Sequence, residues 1–331
     1  MKIAVCDNNS RKFINDLIHH WENSGHEIKE QHPDHSKHHE LRYEQGASEY
    51  LAQWADLYYC EDWDNNLAYL YKLYHGEHTE YPPDWDNNKK PMIVVRPLDW
   101  TVWLGFCRDQ KIIDWVDKVI CIAPHIEKEL RAHGDFGDKL KVIRPGVNLE
   151  KFTLKTKQTD GFQLGMNLGD MWKYKNHMGG LDIFTTLYRQ DNRWRFHVRG
   201  QHENGTYDPI NWDYYLESRG IKNVVTLYPH VDDMNQWLEN IDILLHPGQK
   251  EAFCYAIGEA MAKGIPAVIN DFYGSQEIWQ MPFGPDIYQT HEGAIESILQ
   301  NKLQPEDYRN FIKREYSLER QLAETDQFLG L

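Results

Sequence analysis

Short apolar segments that alternate with amphipathic segments are the feature that most constrains the fold of this 331-residue chain. Ten of these apolar segments are strand-like: 2–6, 57–60, 92–96, 118–122, 141–143, 163–168, 194–199, 224–227, 241–246 and 265–270. Amphipathic segments lie between most of them, as the crossover connections of parallel sheets require. The pattern therefore predicts an α/β chain with two parallel-sheet domains.

A polar stretch, TLKTKQTDG at 153–161, is the best candidate for the linker between the domains. We expect an N-terminal domain at 1–155 and a C-terminal domain at 156–316. Residues 317–331 have leucines at helical spacing behind Ser317, a suitable N-cap residue. This tail predicts a last helix that packs back on the first domain.

Charge and cysteine usage narrow the class of protein. The net charge is −15, and residues 1–85 hold 7 Lys and Arg against 16 Asp and Glu. Such an acidic region disfavours the binding of nucleic acid or anionic lipid. A local basic groove elsewhere in the chain would still permit nucleic-acid binding. No apolar run approaches the roughly 18 residues of a membrane span. The 5 cysteines are scattered without CxxC spacing, which indicates reduced thiols and a cytoplasmic location.

Two glutamates stand eight residues apart in EAFCYAIGEAMAKGIP, at 251–266. Glu251 follows a strand, and ligands bind beyond the carboxyl ends of strands in open α/β sheets. The helix that follows starts near Phe253, Cys254 and Tyr255, where backbone N–H groups favour a phosphate.

Carboxylates accept hydrogen bonds from vicinal hydroxyls, such as those of a sugar or a ribose. A nucleotide sugar therefore accounts for both glutamates and for the helix start. From spacing alone, a solvated Glu251 and a helix-surface Glu259 are equally consistent with the sequence.

These motifs resemble those of the retaining GT-B glycosyltransferases, the E-x7-E family similar to sucrose synthases, trehalose-phosphate synthases and bacterial mannosyltransferases. The resemblance covers roughly 90–280 and rests on DKVICIAPHIEKEL, KVIRPGVNLEKF, HPGQKEAF, EAMAKGIPAV and YGSQEI. It implies a GT-B fold, in which two Rossmann-like domains face a cleft and the last helix crosses back. It also implies that Glu251 contacts the donor sugar, Glu259 the ribose, and Glu277 the donor's surroundings.

At the phosphate clamp the chain departs from the family, which usually has an arginine and a lysine after a glycine. In NLGDMWKYKNHMGG, Gly169 fits the turn and Lys175 fits the lysine, but Asp170 stands where the arginine is expected. Another cation must then help to neutralise the leaving diphosphate. The candidates are Lys173, Arg199 and Arg144.

On the acceptor side the resemblance is weaker, because CDNNSRK lacks the glycines that often follow the first strand. The resemblance assigns acceptor binding to VVRPLDWTVW at 94–103, with Arg96, Asp99 and Trp100 facing the cleft. Asp99 either orients an acceptor hydroxyl or stabilises its own loop.

No Ser-His-Asp or Cys-His arrangement is visible in the sequence. The resemblance implies retaining transfer, in which the donor phosphate oxygen takes the acceptor proton without a protein nucleophile, a metal or a cofactor. The co-substrate is expected to be a UDP- or GDP-linked hexose or pentose, and the acceptor a glycan, a small molecule or a lipid-linked hydroxyl.

Two alternatives stay open at this point. One is a glycosyltransferase that modifies hydroxymethylated bases of DNA, which the acidic first third disfavours. The other is a sugar-nucleotide-binding homologue with impaired catalysis, which Asp170 favours.

Overall fold

A computed structural model describes residues 1–7, 14–31, 45–61, 65–77, 85–97, 110–169, 173–200, 211–229, 233–300 and 303–331. The chain divides into two compact units: the first is Met1–Arg144 with Leu322–Leu331, and the second is Pro145–Gln321. The domain limits expected from the sequence remain predictions, since compact units and functional domains need not end at the same residue.

In the first unit, six strands form one parallel sheet in the order β2-β1-β3-β4-β5-β6. The strands are β1 (Lys2–Asp7), β2 (Glu27–Gln31), β3 (Leu57–Glu61), β4 (Met92–Arg96), β5 (Lys118–Cys121) and β6 (Leu140–Val142). The helices are α1 (Asn15–Asn23), α2 (Gln45–Trp54), α3 (Asn65–Tyr74), α4 (Gln110–Trp115) and α5 (Pro124–His133). The strand order reverses between β1 and β3.

The core of this unit follows from strand periodicity. Alternate residues of β1, Ile3 and Val5, are fully buried on the same core cluster as Trp21 of α1. Leu329, near the end of the chain, belongs to that cluster too. Asp326 is hydrogen-bonded to a residue of this cluster: Trp21 Nε1 donates to Asp326 Oδ1 at 3.1 Å. The last residues of the chain are therefore part of the first unit's core.

The second unit has a parallel sheet in the order β12-β11-β10-β7-β8-β9, which reverses between β7 and β10. The strands are β7 (Gln163–Gly169), β8 (Arg195–Gly200), β9 (Val225–Tyr228), β10 (Ile243–His246), β11 (Ala267–Asn270) and β12 (Asp286–Tyr288). The helices are α6 (His177–Gln190), α7 (Trp212–Ser218), α8 (Met234–Leu238), α9 (Tyr255–Ala262), α10 (Ser275–Trp279), α11 (His291–Gln300) and α12 (Pro305–Glu315). The last helix, α13 (Leu318–Leu329), starts in this unit, and its residues from Leu322 onward belong to the first unit.

Close packing of α6 on this sheet requires a small residue. A Cβ at Gly180 would lie 2.4 Å from Met166 Sδ, so glycine is what lets the start of α6 lie against β7. Further along α6, Phe184 stacks on Phe196 of β8 with 4.6 Å between ring centroids. These contacts fix the loop between β7 and α6 above the carboxyl end of the sheet.

All ten predicted strand segments are strands, with ends that differ by at most two residues. Two strands were not predicted: β2, whose sequence EIKEQ is polar, and the three-residue β12. Both are edge strands, so they need fewer apolar residues than the central ones. The predicted cap at Ser317 is confirmed, because its Oγ accepts from Arg320 N at 3.3 Å, at the start of α13.

Candidate active site

Two loops meet where the second sheet reverses its strand order. One follows β7 and the other follows β10, and two hydrogen bonds join them. Asn176 Nδ2 donates to the Pro247 carbonyl at 3.2 Å, and Gln249 N donates to the Tyr174 carbonyl at 2.8 Å. Such a reversal point at the carboxyl ends of parallel strands is where ligands bind in open α/β sheets.

Lys175 and Glu251 face each other from these two loops, as an ion pair of 2.5 Å between Nζ and Oε1. The Glu251 side chain is 9% exposed and that of Lys175 is 20% exposed. Burial acts to raise the pKa of Glu251, but Lys175 and His246 outweigh it and lower that pKa to about 2. Burial acts to lower the pKa of Lys175, but Glu251 outweighs it and leaves that pKa raised. Both groups are therefore charged at neutral pH.

His246, the last residue of β10, is a part of this site that the sequence analysis missed. Its ring is 3% exposed; Nε2 lies 3.3 Å from Glu251 Oε1, and Nδ1 lies 3.7 Å from Cys254 Sγ. No Cys-His arrangement was visible in the sequence, because the two residues are eight apart and only the turn after β10 brings them together. The motif HPG just ahead of Glu251 was the one signal in the sequence that could have indicated His246. A histidine at the end of an apolar strand, however, is usually interpreted as a core residue.

The start of α9 lies beside this cluster. Cys254 is its N-cap residue and has a left-handed backbone, with φ of 65°. Tyr255 begins the helix and Glu259 is half-buried one turn later. The Phe253 ring is buried. Its centroid lies 5.0 Å from the ring centroid of Trp279 and 5.3 Å from that of Tyr316. A contribution of Phe253 to donor binding would come from its backbone, because its ring is packed in the core.

The remaining predicted donor residues lie at the carboxyl edge of the sheet or near it. Gly169 ends β7 with φ of 56°, a conformation that favours glycine. Arg199, near the end of the neighbouring β8, is 6% exposed, and its Nη1 donates to Asn167 Oδ1 at 2.9 Å. Glu277 is exposed on α10. Lys173 begins a short 3-10 turn, but its side chain lies outside the described part of the chain, as does Asp170.

Of the predicted acceptor residues, Arg96 is described by the structure and belongs to the first unit. Arg96 ends β4, and its Nε donates to both carboxylate oxygens of Glu61, at 3.0 and 2.8 Å. Its Nη2 also contacts Glu61, which ends β3, and both side chains are buried. Asp99 and Trp100 lie outside the described residues. The acceptor roles of these three residues remain predictions, as does the alternative of Arg144 as a phosphate cation.

Among the described residues, His246, Glu251 and Cys254 are the only group of three metal-ligating side chains whose ligand atoms come within 4.8 Å of one another. The expectation of a metal-independent site therefore stays a prediction. Within the same described ranges, no helix is both long enough and apolar enough to cross a membrane.

Comparison with known proteins finds a family model that part of the second unit matches. Residues 164–284 match the model of the glycosyl transferases group 1. D-inositol 3-phosphate glycosyltransferase of Paenarthrobacter aurescens (strain TC1) is 26% identical over 184 residues, which are 50% of this chain and 43% of that protein. The alignment thus spans less than half of the length of this curated relative.

Solved structures match the chain from end to end. Anabaena HepE in complex with UDP and glucose has a TM-score of 0.75 at 13% identity, covering 100% of this chain and 99% of its own. Sucrose-phosphate synthase from Thermosynechococcus elongatus also has a TM-score of 0.75 at 13% identity, with 99% and 98% covered. At such identities the likeness concerns the fold, and it confirms the GT-B fold predicted from the sequence.

Proposed function

We propose that the protein transfers a sugar, with retention, from a nucleotide sugar to a hydroxyl acceptor; the match of residues 164–284 to the model of the glycosyl transferases group 1 supports this. The observation that carries this proposal is the Lys175–Glu251 ion pair at the reversal point of the second sheet. It holds one cation and one hydrogen-bond acceptor within reach of the same bound molecule, and a glycosyl diphosphate needs both.

Each group of the site has a task in this scheme. Glu251, kept ionised by Lys175, accepts hydrogen bonds from hydroxyls of the donor sugar. Lys175 keeps its charge and stabilises the negative charge that develops on the leaving diphosphate. Glu259 accepts the ribose hydroxyls, and the amides at the start of α9, near Cys254, bind a phosphate oxygen.

Arg199 is the best-supported replacement for the arginine whose position Asp170 occupies. It stands near the carboxyl end of β8, in register with Asn167 of β7, two residues before the Gly169 turn. Its hydrogen bond to Asn167 holds the guanidinium at the edge of the sheet where Lys175 also lies. Lys173 remains the competing cation, because it is closer to Lys175 in sequence.

Retention follows when the acceptor attacks from the face that the diphosphate leaves, with a phosphate oxygen taking the acceptor proton. The protein then supplies positioning and electrostatic stabilisation and no nucleophile. A UDP-linked donor is favoured by the likeness to HepE in complex with UDP and glucose. The acceptor is a glycan, a small molecule or a lipid-linked hydroxyl, and the transfer needs no metal and no cofactor.

A thermal-shift screen tests the donor site. Wild type, Glu259→Ala and the control Glu292→Ala, an exposed residue of α11, would be incubated with UDP, GDP and ADP and with their sugars. We expect one nucleotide series to stabilise wild type and the control but not Glu259→Ala. A ligand at 100 times its Kd stabilises by about 2.7 kcal/mol. Absence of a shift with every nucleotide contradicts the donor-site assignment.

Catalysis needs its own assay. The donor selected by the screen would be incubated with a panel of hydroxyl acceptors, and the anomeric configuration of the product read by NMR. Retained configuration supports the proposal and inversion refutes it. Tight donor binding without transfer or hydrolysis instead favours the catalytically impaired homologue.

A further inference from the structure

A buried imidazole links a thiol to a carboxylate beside α9. Cys254 Sγ is 3.7 Å from Nδ1 of His246, and Glu251 Oε1 is 3.3 Å from its Nε2. His246 is 3% exposed, so little water competes for either ring nitrogen. The order thiol, imidazole, carboxylate is the arrangement in which a histidine takes the proton of a cysteine and the carboxylate stabilises the resulting imidazolium.

Two sources of positive potential lie near Cys254. It is the N-cap residue of the eight-residue α9, where the helix dipole stabilises negative charge. Lys175 contributes a further positive charge through its contact with Glu251, and Tyr174 is the other titratable group near that lysine. Burial acts to lower the pKa of His246, but Cys254 and Glu251 outweigh it and raise that pKa to about 9.

Cys254 also differs from the other described cysteines in access. It is partly exposed, whereas the remaining three are buried: Cys6, Cys60 and Cys121. Cys254 thus combines access for a reagent with a base beside its sulfur. Cys107 lies outside the described residues.

A metal ion fits this cluster less well than a proton relay does. The thiol and the carboxylate contact different nitrogens of the ring, Nδ1 and Nε2, whose lone pairs point in different directions. An ion would bind the imidazole through one nitrogen only, so it would replace one of these two contacts. The Lys175 ammonium, 2.5 Å from the Glu251 oxygen nearest the ring, further opposes a cation there.

We propose that Cys254 is an activated thiol, a site of covalent modification by disulfides and other soft electrophiles, with His246 as its base and Glu251 as the group that orients His246. In the reaction with a disulfide RSSR, the Cys254 sulfur attacks one sulfur of the reagent while His246 holds the proton. The S–S bond of the reagent breaks, a new disulfide forms on Cys254, and the departing thiolate takes the proton as RSH. Atoms and electrons balance without a further oxidant.

Modification of this thiol would also block the donor, a consequence that rests on the proposed function. Cys254 is the residue before Tyr255, where the amides of α9 begin, and it lies three residues after Glu251. A group attached to its sulfur occupies the space in which the proposed diphosphate binds. Conversely, a bound nucleotide is expected to shield the thiol.

The first test measures the rate of alkylation. Wild-type protein would be treated with iodoacetamide between pH 5 and pH 10, and labelling of each cysteine followed by peptide mass spectrometry. The reference is a synthetic peptide of residues 251–258, which has the same sequence without the fold. We expect Cys254 at pH 7 to react roughly tenfold faster in the protein than in the peptide. Equal rates overturn the proposal.

Variants test the base. His246→Gln should bring the alkylation rate of Cys254 at pH 7 back toward that of the peptide, whereas His197→Gln, a half-buried histidine on β8, should leave that rate unchanged. Glu251→Gln offers a second disruption of the relay if His246→Gln does not fold. An unchanged rate in a folded His246→Gln variant rules out His246 as the base.

A third measurement uses 2,2′-dithiodipyridine as the disulfide, with Cys254→Ser as the control that should not be labelled at this position. If Cys254 becomes reactive only after treatment with a chelator, a metal occupies the cluster and the relay is wrong.

Protection by the nucleotide found in the thermal-shift screen tests the link to the donor site. A reactive thiol without protection leaves the relay standing and removes only that link.

Discussion

Each of the two sheets has an ion pair at its carboxyl edge, but the two pairs are built differently. In the first unit, Glu61 and Arg96 end adjacent strands in register, and their side chains are 0% and 3% exposed. In the second unit, Lys175 and Glu251 come from loops on either side of the strand reversal. The first pair is closed off from solvent by strand geometry, whereas the second is held by loops and keeps the ammonium partly accessible.

The position relative to the strand reversal explains the difference. The first sheet reverses between β1 and β3, whereas its ion pair joins β3 to β4, where neighbouring strands leave no gap. The second sheet reverses between β7 and β10, and its ion pair spans that gap. The same pair of opposite charges therefore acts as a packing element in one unit and as a candidate binding site in the other.

The largest expected effect comes from breaking the pair of the first unit. Arg96→Met leaves the Glu61 carboxylate buried without its arginine, which should lower the free energy of unfolding by about 3–5 kcal/mol. Urea unfolding followed by far-UV circular dichroism measures the loss. The double variant Glu61→Leu/Arg96→Met should recover most of it, and a loss below about 1 kcal/mol for the single variant would contradict a structural role.

Breaking the pair of the second unit should act on activity. Lys175→Met removes the cation proposed to stabilise the diphosphate, so kcat should fall roughly 10²–10³-fold. Stability should fall less than for Arg96→Met, because Lys175 is partly exposed and His246 remains beside Glu251. Initial rates with the identified donor give the result, with Lys222→Met, from an exposed ion pair, as the control that keeps wild-type activity. Equal losses of stability in the two units would remove the distinction between them.

The pH dependence of stability should come partly from His246. Its pKa is raised from 6.5 to about 9, so its stabilising contribution is complete below pH 6.5 and lost as the pH rises through 9. The difference in unfolding free energy between wild type and His246→Gln should therefore shrink by about 2–3 kcal/mol between pH 6 and pH 10. Urea titrations at both pH values measure it, and a constant difference would show that the imidazole stays neutral.

The smallest effect concerns backbone conformation. Cys254 has φ of 65°, where glycine is unstrained, so Cys254→Gly should be more stable than Cys254→Ala by about 1 kcal/mol. Gly25→Ala is the matched test in the first unit, because φ there is 85° and a Cβ would meet nothing within 4 Å. Gly25→Ala should lower the free energy of unfolding by a similar amount, measured by thermal unfolding. A Cys254→Ala variant as stable as Cys254→Gly would argue that the left-handed turn relaxes.

The central strands and the location of Glu251 could be predicted because both depend on local sequence. Buried parallel strands are apolar throughout, and a glutamate between such a strand and a helix start must lie at the sheet's carboxyl edge. β2 escaped prediction because an edge strand of sequence EIKEQ has no apolar period.

The contacts inside the site could not be predicted, because they depend on which strands are neighbours. Lys175 and Glu251 are 76 residues apart, and only the pairing of β10 with β7 brings them together. Arg96 shows the same limit in the first unit: its position at a strand end was predicted, but its bidentate pairing with Glu61 depends on the register between β3 and β4. His246 was missed because it is the last residue of an apolar strand, a position at which the sequence pattern predicts a core residue.

The presence of Leu329 in the core of the first unit has a consequence for biosynthesis. The segment Leu322–Leu331 belongs to the same compact unit as Met1–Arg144, so that unit's core cannot be completed until the whole second unit has left the ribosome. The second unit, Pro145–Gln321, is continuous and can close its own sheet first. A nascent chain stalled before residue 322 should therefore carry a folded second sheet and a first sheet that is still missing part of its apolar cover.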